Sequence, residues 1–403
     1  MSSSDRVIIV GAGPVGVTTA LLLAQAGVPV LLLEAEDAPL IDYRASTFHP
    51  PTLDMLEDSG ITSGLLSMGL KCPIFQYRDR KEGLMAEFDL ALLANDTRHP
   101  YRLACEQFKL VAWVLERLEA FNNVDIRFGN RVVDVIQKAG IVEVKTEGKG
   151  KEQVFSGKWL IGADGGRSST RSALGITLEG VTYPERFVVA GTKSDFREVF
   201  PDISNVNYIA DADEWVILLK IPDVWRFITP VHGVSDEVAV SDAFLQARLQ
   251  GFAPRADLYK IEMRAVYRVH QRVANKFRVG NCFLAGDAAH LNNPIGGMGL
   301  NSGLHDAVEL VGRLLKVMRG QADETLLDGY EEVRKPIVVD GLLAQTEQNK
   351  KAMEARDPKV RDANNARWRN LAHNPELAYQ HLLKTSMIEP LRSSARSEAK
   401  LVE

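Results

Sequence analysis

The run Gly11-Ala12-Gly13-Pro14-Val15-Gly16 lies between four consecutive apolar residues, Val7–Val10, and a stretch of helical spacing from Val15 to Gln25. A short apolar run ending in glycines is the pattern of a central parallel strand. Gly11 permits a tight turn, Gly13 lets the backbone approach a pyrophosphate, and Gly16 lets helix and strand pack closely. The helix start, with Pro14 and Val15 in its first turn, offers free N–H groups and a positive dipole end to phosphates. Ala26-Gly27 stops the helix, and Val28–Leu33 forms a second buried strand that closes on Glu34. The whole is one βαβ unit of about 30 residues. A carboxylate at Glu34 suits ribose hydroxyls and repels a 2′-phosphate, which disfavours NADP in this site. The fingerprint alone leaves NAD and FAD both open.

The rest of the chain places this unit. Gln107–Ala120 reads as a helix with Leu110, Val111, Val114, Leu115 and Leu118 on one face. Val124–Phe128, Arg131–Gln137, Ile141–Lys145 and Trp159–Ala163 read as strands. From Val181 to His270 the texture changes to short β-branched and aromatic runs, among them Phe187–Ala190, Val206–Ala210, Trp215–Ile221 and Trp225–Val231. A helix is expected over Asp242–Gln250, a strand over Asn281–Ala285 and a long helix over Asn301–Met318. Beyond Lys335 the chain has helical propensity, and its polar last ten residues are expected to fray.

The expected fold is therefore α/β. A Rossmann-like cofactor domain is assembled from residues 1–72, 100–180 and 271–340. A mainly antiparallel β-sheet substrate domain, 73–99 and 181–270, is inserted into it. Residues 341–403 form a helical C-terminal tail.

Composition narrows the function classes. With 403 residues, 45% hydrophobic and 25% charged, the chain reads as an ordinary globular enzyme. A net charge of −5 gives no pull toward nucleic acid or an anionic membrane. Cys72, Cys105 and Cys282 are far apart and odd in number, so reduced, packed thiols are expected instead of a disulfide framework. No signal peptide or membrane span is legible, and a cytoplasmic location is expected. The histidines His232, His270 and His305 lack metal-ligand spacing, so no metal site is expected. There is no Gly-x-Ser-x-Gly elbow.

Two further motifs decide the cofactor. Gly162-Ala163-Asp164-Gly165-Gly166-Arg167-Ser168 follows a buried strand, and Ala285-Gly286-Asp287-Ala288-Ala289-His290 leads to Pro294-Ile295-Gly296-Gly297-Met298-Gly299-Leu300-Asn301-Ser302-Gly303, with Asp306 beyond. In this order and spacing the three motifs resemble the single-component FAD-dependent aromatic hydroxylases, the para-hydroxybenzoate hydroxylase-like flavoprotein monooxygenases, over roughly residues 5–340. The resemblance implies FAD held in a GR2-type domain. Asp287 suits the ribityl chain. The nearly bare Pro294–Gly303 backbone suits a flat isoalloxazine ring. The helix starting near Asn301 puts its positive end at the edge where reduced flavin carries charge.

The resemblance also implies roles for individual residues. Asp164 and Gly165 fall near the pyrophosphate, and Arg44 and Gln107 match FAD-contacting positions, with Arg102 sharing that role. The cofactor set is then Gly11, Gly13, Pro14, Val15, Gly16, Glu34, Arg44, Arg102, Gln107, Asp164, Gly165, Gly286, Asp287, Pro294, Gly297, Gly299, Leu300 and Asn301. Pro294, Gly296 and His290 are the candidate catalytic positions, although a histidine in such a loop is more often a satisfied supporting residue. Tyr208, Trp215, Arg226 and His232 are expected to line the substrate, with Arg226 offered to a carboxylate or phenolate.

The implied reaction takes hydride from NADH or NADPH onto FAD, adds dioxygen at the flavin C4a carbon, and passes the distal oxygen of that hydroperoxide to an electron-rich ring. Partners would be a small aromatic substrate, molecular oxygen and NAD(P)H, with monomer and homodimer both open. Other readings stand beside it. A flavin halogenase lacks its tryptophans here, since Ile217 and Leu219 precede Ile221-Pro222. An epoxidase or reductase of prenyl or lipid substrates would favour a membrane-attached tail, and the tail has no sustained apolar run. A non-enzymatic flavin-binding redox protein needs only the cofactor grip.

Overall fold

The computed structural model describes residues 6–41, 43–148 and 150–393. The first layer is a six-stranded sheet in the order 278–279, 282–284, 159–162, 7–10, 30–33 and 124–127. Its strands pair in parallel except at the 278–279 edge. Val7–Val10 and Val30–Leu33 are buried at every position, because both faces of the sheet are covered. On one face Val7, Ile9, Val30 and Leu32 pack against the helices Pro14–Gln25, Gln107–Leu118 and Gly299–Met318. On the other, Ile8, Val10, Leu31 and Leu33 meet Val132, Val135, Val142 and Val144 of a small antiparallel sheet, residues 131–138, 141–148 and 151–157.

The second layer is an eight-stranded sheet in the order 290–291, 261–274, 178–192, 225–231, 216–220, 206–210, 74–79 and 83–89. Its pairs are antiparallel except for 206–210 against 74–79. Alternation sorts the side chains. Trp225, Phe227 and Val231 join Leu245, Leu249 and Phe252 of the helix Asp242–Phe252 in one core. Phe187, Tyr208, Ile217 and Ile228 face the other way. The strand 290–291 joins this sheet to the turn after 282–284, so the two layers meet where the third motif lies.

The tail supplies helices Ala344–Met353, Pro358–His373 and Pro375–Thr385. They follow a π-helical stretch, Ile337–Leu343, that begins directly after Pro336. They cover the hairpin 74–89. Trp368 stacks on Tyr77 with ring centroids 3.9 Å apart, and Arg361 pairs with Asp79 at 2.7 Å. The expected fraying of the last ten residues falls outside the described residues. No helix among the described residues is long and apolar enough to cross a membrane. Cys72, Cys105 and Cys282 are free and buried.

Candidate active site

One cavity of about 500 Å³ runs from the turn after Val10 to the face of the eight-stranded sheet. Its inner end is the glycine fingerprint. Gly11 has φ +101°, and a Cβ there would lie 2.5 Å from the Ala163 carbonyl oxygen. A Cβ on Gly16 would sit 1.8 Å from the Gly11 carbonyl oxygen, so Gly16 sets the strand-to-helix approach and does not line the cavity. A Cβ on Gly13 would meet nothing within 4 Å, since the space above it is the cavity itself. The helix Pro14–Gln25 has no side-chain cap, so its first N–H groups face that space.

Around this end stand Val15, Glu34, Arg44, Gln107, Asp164, Gly165, Gly286 and Asp287. Glu34 accepts the Ala12 N–H at 2.6 Å and the Glu36 N–H at 3.0 Å, which fixes its carboxylate at the rim. Asp164 caps its own motif, accepting from Ser168 Oγ and the Thr170 N–H. Open space above a bare glycine, an uncapped helix and an acidic rim fit the pyrophosphate and ribose of FAD.

The third motif forms the middle of the cavity. Pro294, Gly296, Gly297, Gly299 and Leu300 line it, with Gly296 and Gly297 at φ +120° and +67°. Asn301 turns inward. Its side-chain nitrogen donates to the Gly297 and Thr47 carbonyls at 2.7 and 2.9 Å, and its oxygen accepts from the His49 N–H and Thr52 Oγ1. His49 Nε2 bonds the Gly296 carbonyl at 2.9 Å, and Thr52 Oγ1 also meets His305 Nε2 at 2.8 Å. Burial, with the charge of Arg102, pushes His49 down to about 3, and burial with Arg334 does the same to His305. Two neutral imidazoles thus hold the glycine turn. Sequence reasoning missed His49 and Thr52, whose only local mark is their place around Pro50-Pro51.

His290 stands behind the site, not in it. It is buried, absent from the cavity wall, and bonded through Nε2 to Asp306 at 2.7 Å. Asp306 also accepts the Gly286 N–H at 2.9 Å and Arg334 Nε at 2.6 Å, and Arg334 reaches on to Ser302. Burial alone would raise the Asp306 carboxyl, but His290 and Arg334 outweigh it and hold it well below the usual range. The catalytic expectation for His290 is therefore corrected to one of support for Gly286.

At the outer end the wall is Tyr208, Ile217, Leu219, Arg226, Ile228, Tyr267 and Val269. Alternation within 216–220 and 225–231 is the signal that would have found the aliphatic members. Arg226 lines the cavity, and its two terminal nitrogens donate to the loop beside the cofactor end: Ser46 Oγ at 2.7 Å, the Arg44 carbonyl at 3.3 Å and the Tyr43 carbonyl. These bonds make it a strut between loop and sheet at the cavity wall. Trp215 is core, edge-on to Phe187 and bonded to Glu354 of the tail. His232 is exposed on the loop after 225–231, and neither residue lines the cavity. Arg102 is also absent from the wall. It is buried and donates to Tyr208 Oη at 3.0 Å. No group of three or more metal-ligating side chains occurs among the described residues.

Comparison with known proteins agrees with this geometry. The FAD binding domain family matches residues 5–343. The chain is 33% identical over 392 residues to para-nitrophenol 4-monooxygenase of a Pseudomonas species, covering 95% of this chain and 96% of that one. It is 36% identical over 347 residues to 6-hydroxy-3-succinoylpyridine 3-monooxygenase of Pseudomonas putida, covering 83% and 85%. The crystal structure of p-nitrophenol 4-monooxygenase from Pseudomonas putida superposes with a TM-score of 0.91 at 32% identity, covering 96% of this chain and 99% of that one. With the family match spanning most of its length and the cavity built as described, the chain belongs to the FAD-dependent aromatic hydroxylases, flavin monooxygenases of the FAD binding domain family.

Proposed function

We propose that the protein uses NADH or NADPH and dioxygen to hydroxylate a small phenolic, benzoic or aza-aromatic ring. The observation that carries this reading is continuity. One cavity is lined at one end by Gly13 and Asp287, in the middle by Pro294–Leu300, and at the other end by Tyr208, Ile217, Leu219 and Ile228. Bound FAD supplies hydride acceptance and oxygen activation, chemistry that no side chain performs. The chain's own work is to hold and to exclude. The uncapped start of the helix Gly299–Met318 favours negative charge beside Gly299 and Leu300. The aliphatic wall keeps water from the ring. Arg44, Arg167 and Arg268 at the rim offer positive charge to the phosphates of a nicotinamide dinucleotide.

The names of two relatives support a narrower substrate class. In para-nitrophenol 4-monooxygenase and 6-hydroxy-3-succinoylpyridine 3-monooxygenase alike, the oxygenated ring carbon lies para to a hydroxyl group. We therefore favour para-substituted phenols and hydroxypyridines. The test is oxidation of NADH or NADPH by the purified holoprotein across a panel of phenols, benzoates and hydroxypyridines. Ring-specific acceleration with a hydroxylated product is expected. If no aromatic compound speeds flavin reduction, the reading fails.

A further inference from the structure

Arg102 lies on the strand Arg102–Ala104, between Thr47–Phe48 and Leu70–Cys72. Its residue is only 2% exposed. The guanidinium lies 4.2 Å from the Phe75 ring centroid and donates through Nη1 to Tyr208 Oη, while its buried Nε has no partner. Two other buried arginines have anions: Arg334 pairs with Asp306 and Arg78 with Asp202. Among the described residues no carboxylate pairs with Arg102.

The titratable groups around it are neutral too. Burial and then the Arg102 charge push His49 down to about 3, and burial likewise sets His381 at about 3. Burial keeps the Cys72 thiol up at about 11 and raises the Tyr77 phenol. A buried cation without an anion is costly, and natural interiors tolerate one where an anion is to arrive. Tyr208 shows where. Its hydroxyl oxygen already accepts from Arg102, its own proton has no acceptor among the described residues, and its ring is part of the cavity wall.

We propose that Arg102 is a positioning residue for the substrate oxyanion: it holds the Tyr208 hydroxyl as a donor toward a phenolate oxygen in the cavity and supplies the counter-charge behind it. This deepens the hydroxylase reading and rests on it. A ring held by its hydroxyl at Tyr208 presents its para carbon away from Tyr208, and the added negative charge makes that carbon more nucleophilic.

The probe is p-nitrophenol, whose phenol and phenolate absorb differently, titrated against pH into oxidised holoprotein without reduced nicotinamide, so that nothing turns over. In the wild type the bound probe's pKa is expected to fall by about one unit. Arg102→Met should weaken phenolate binding at least about tenfold, or ~1.4 kcal/mol, and return the pKa to the free value. Arg102→Lys should restore part of both. Tyr208→Phe should give the same loss for the phenolate but bind nitrobenzene as the wild type does. Arg102→Met protein that keeps its FAD and ionises the probe like the wild type overturns this inference alone, provided phenols still drive NAD(P)H oxidation. A wild type that binds no nitrophenol and answers to no phenol overturns the parent reading as well.

Discussion

Gly13 and Gly16 are three residues apart in one motif, and the structure gives them opposite duties. A methyl on Gly13 would enter open cavity, whereas a methyl on Gly16 would strike the Gly11 carbonyl. Gly13→Ala should therefore leave the stability of the apoprotein within about 0.5 kcal/mol of the wild type while raising the FAD dissociation constant about tenfold. Gly16→Ala should lower stability itself by roughly 2 kcal/mol, through overpacking. Denaturant titration of apoprotein beside a fluorescence titration with FAD separates the two. Loss of stability without loss of FAD affinity in Gly13→Ala would count against the cradle described here. At this scale the glycine motifs were legible because backbone shape demands glycine wherever it occurs. The His49–Asn301–Thr52–His305 clamp and the Arg102–Tyr208 pair were not. Asn301 bonds residues about 250 positions away, and no local pattern announces such a contact.

At the scale of elements, the strands buried on both faces were read nearly to the residue: Val7–Val10, Val206–Ala210 and Trp225–Val231 stand as expected. The fourteen-residue strand Ile261–Ala274 was not resolved as one, because Glu262, Arg264, Arg268 and Arg272 break its apolar pattern along a partly exposed face. Its strand state comes from pairing with Leu178–Thr192. The tail was expected to be helical, and its packing explains its place in the site. Asn349 of the helix Ala344–Met353 donates to the Ile295 carbonyl at 3.2 Å, one residue from Gly296. Trp368 is the tail's largest anchor, stacked on Tyr77 beside Tyr208. Trp368→Ala should reduce stability by about 3 kcal/mol. It should also raise the substrate KM more than it lowers kcat. Unchanged denaturation and unchanged KM would mean that the tail does not brace the cavity.

For the whole molecule, acid should be more damaging than alkali. His49 and His305 are held neutral down to about 3, while in the unfolded chain each takes a proton near 6.5. Their folded pKa lies below the unfolded one, so this stability is complete above pH 6.5 and is lost as pH falls toward 3. Each contributes a loss of about 2 kcal/mol by pH 5. Asp306, also depressed, adds to the loss at lower pH. Melting temperatures at pH 8 and pH 5 check this, and an equal or higher value at pH 5 would contradict the neutral-histidine clamp. The cavity joins both sheets, since its cofactor end and its substrate end belong to different layers. Turnover under heavy-isotope dioxygen, with a reduced nicotinamide and a para-substituted phenol, tests whether the two ends work together on one ring. One labelled oxygen atom is expected in each molecule of hydroxylated product. Reduced nicotinamide consumed with hydrogen peroxide as the sole oxygen product, and no label in any ring, would contradict it.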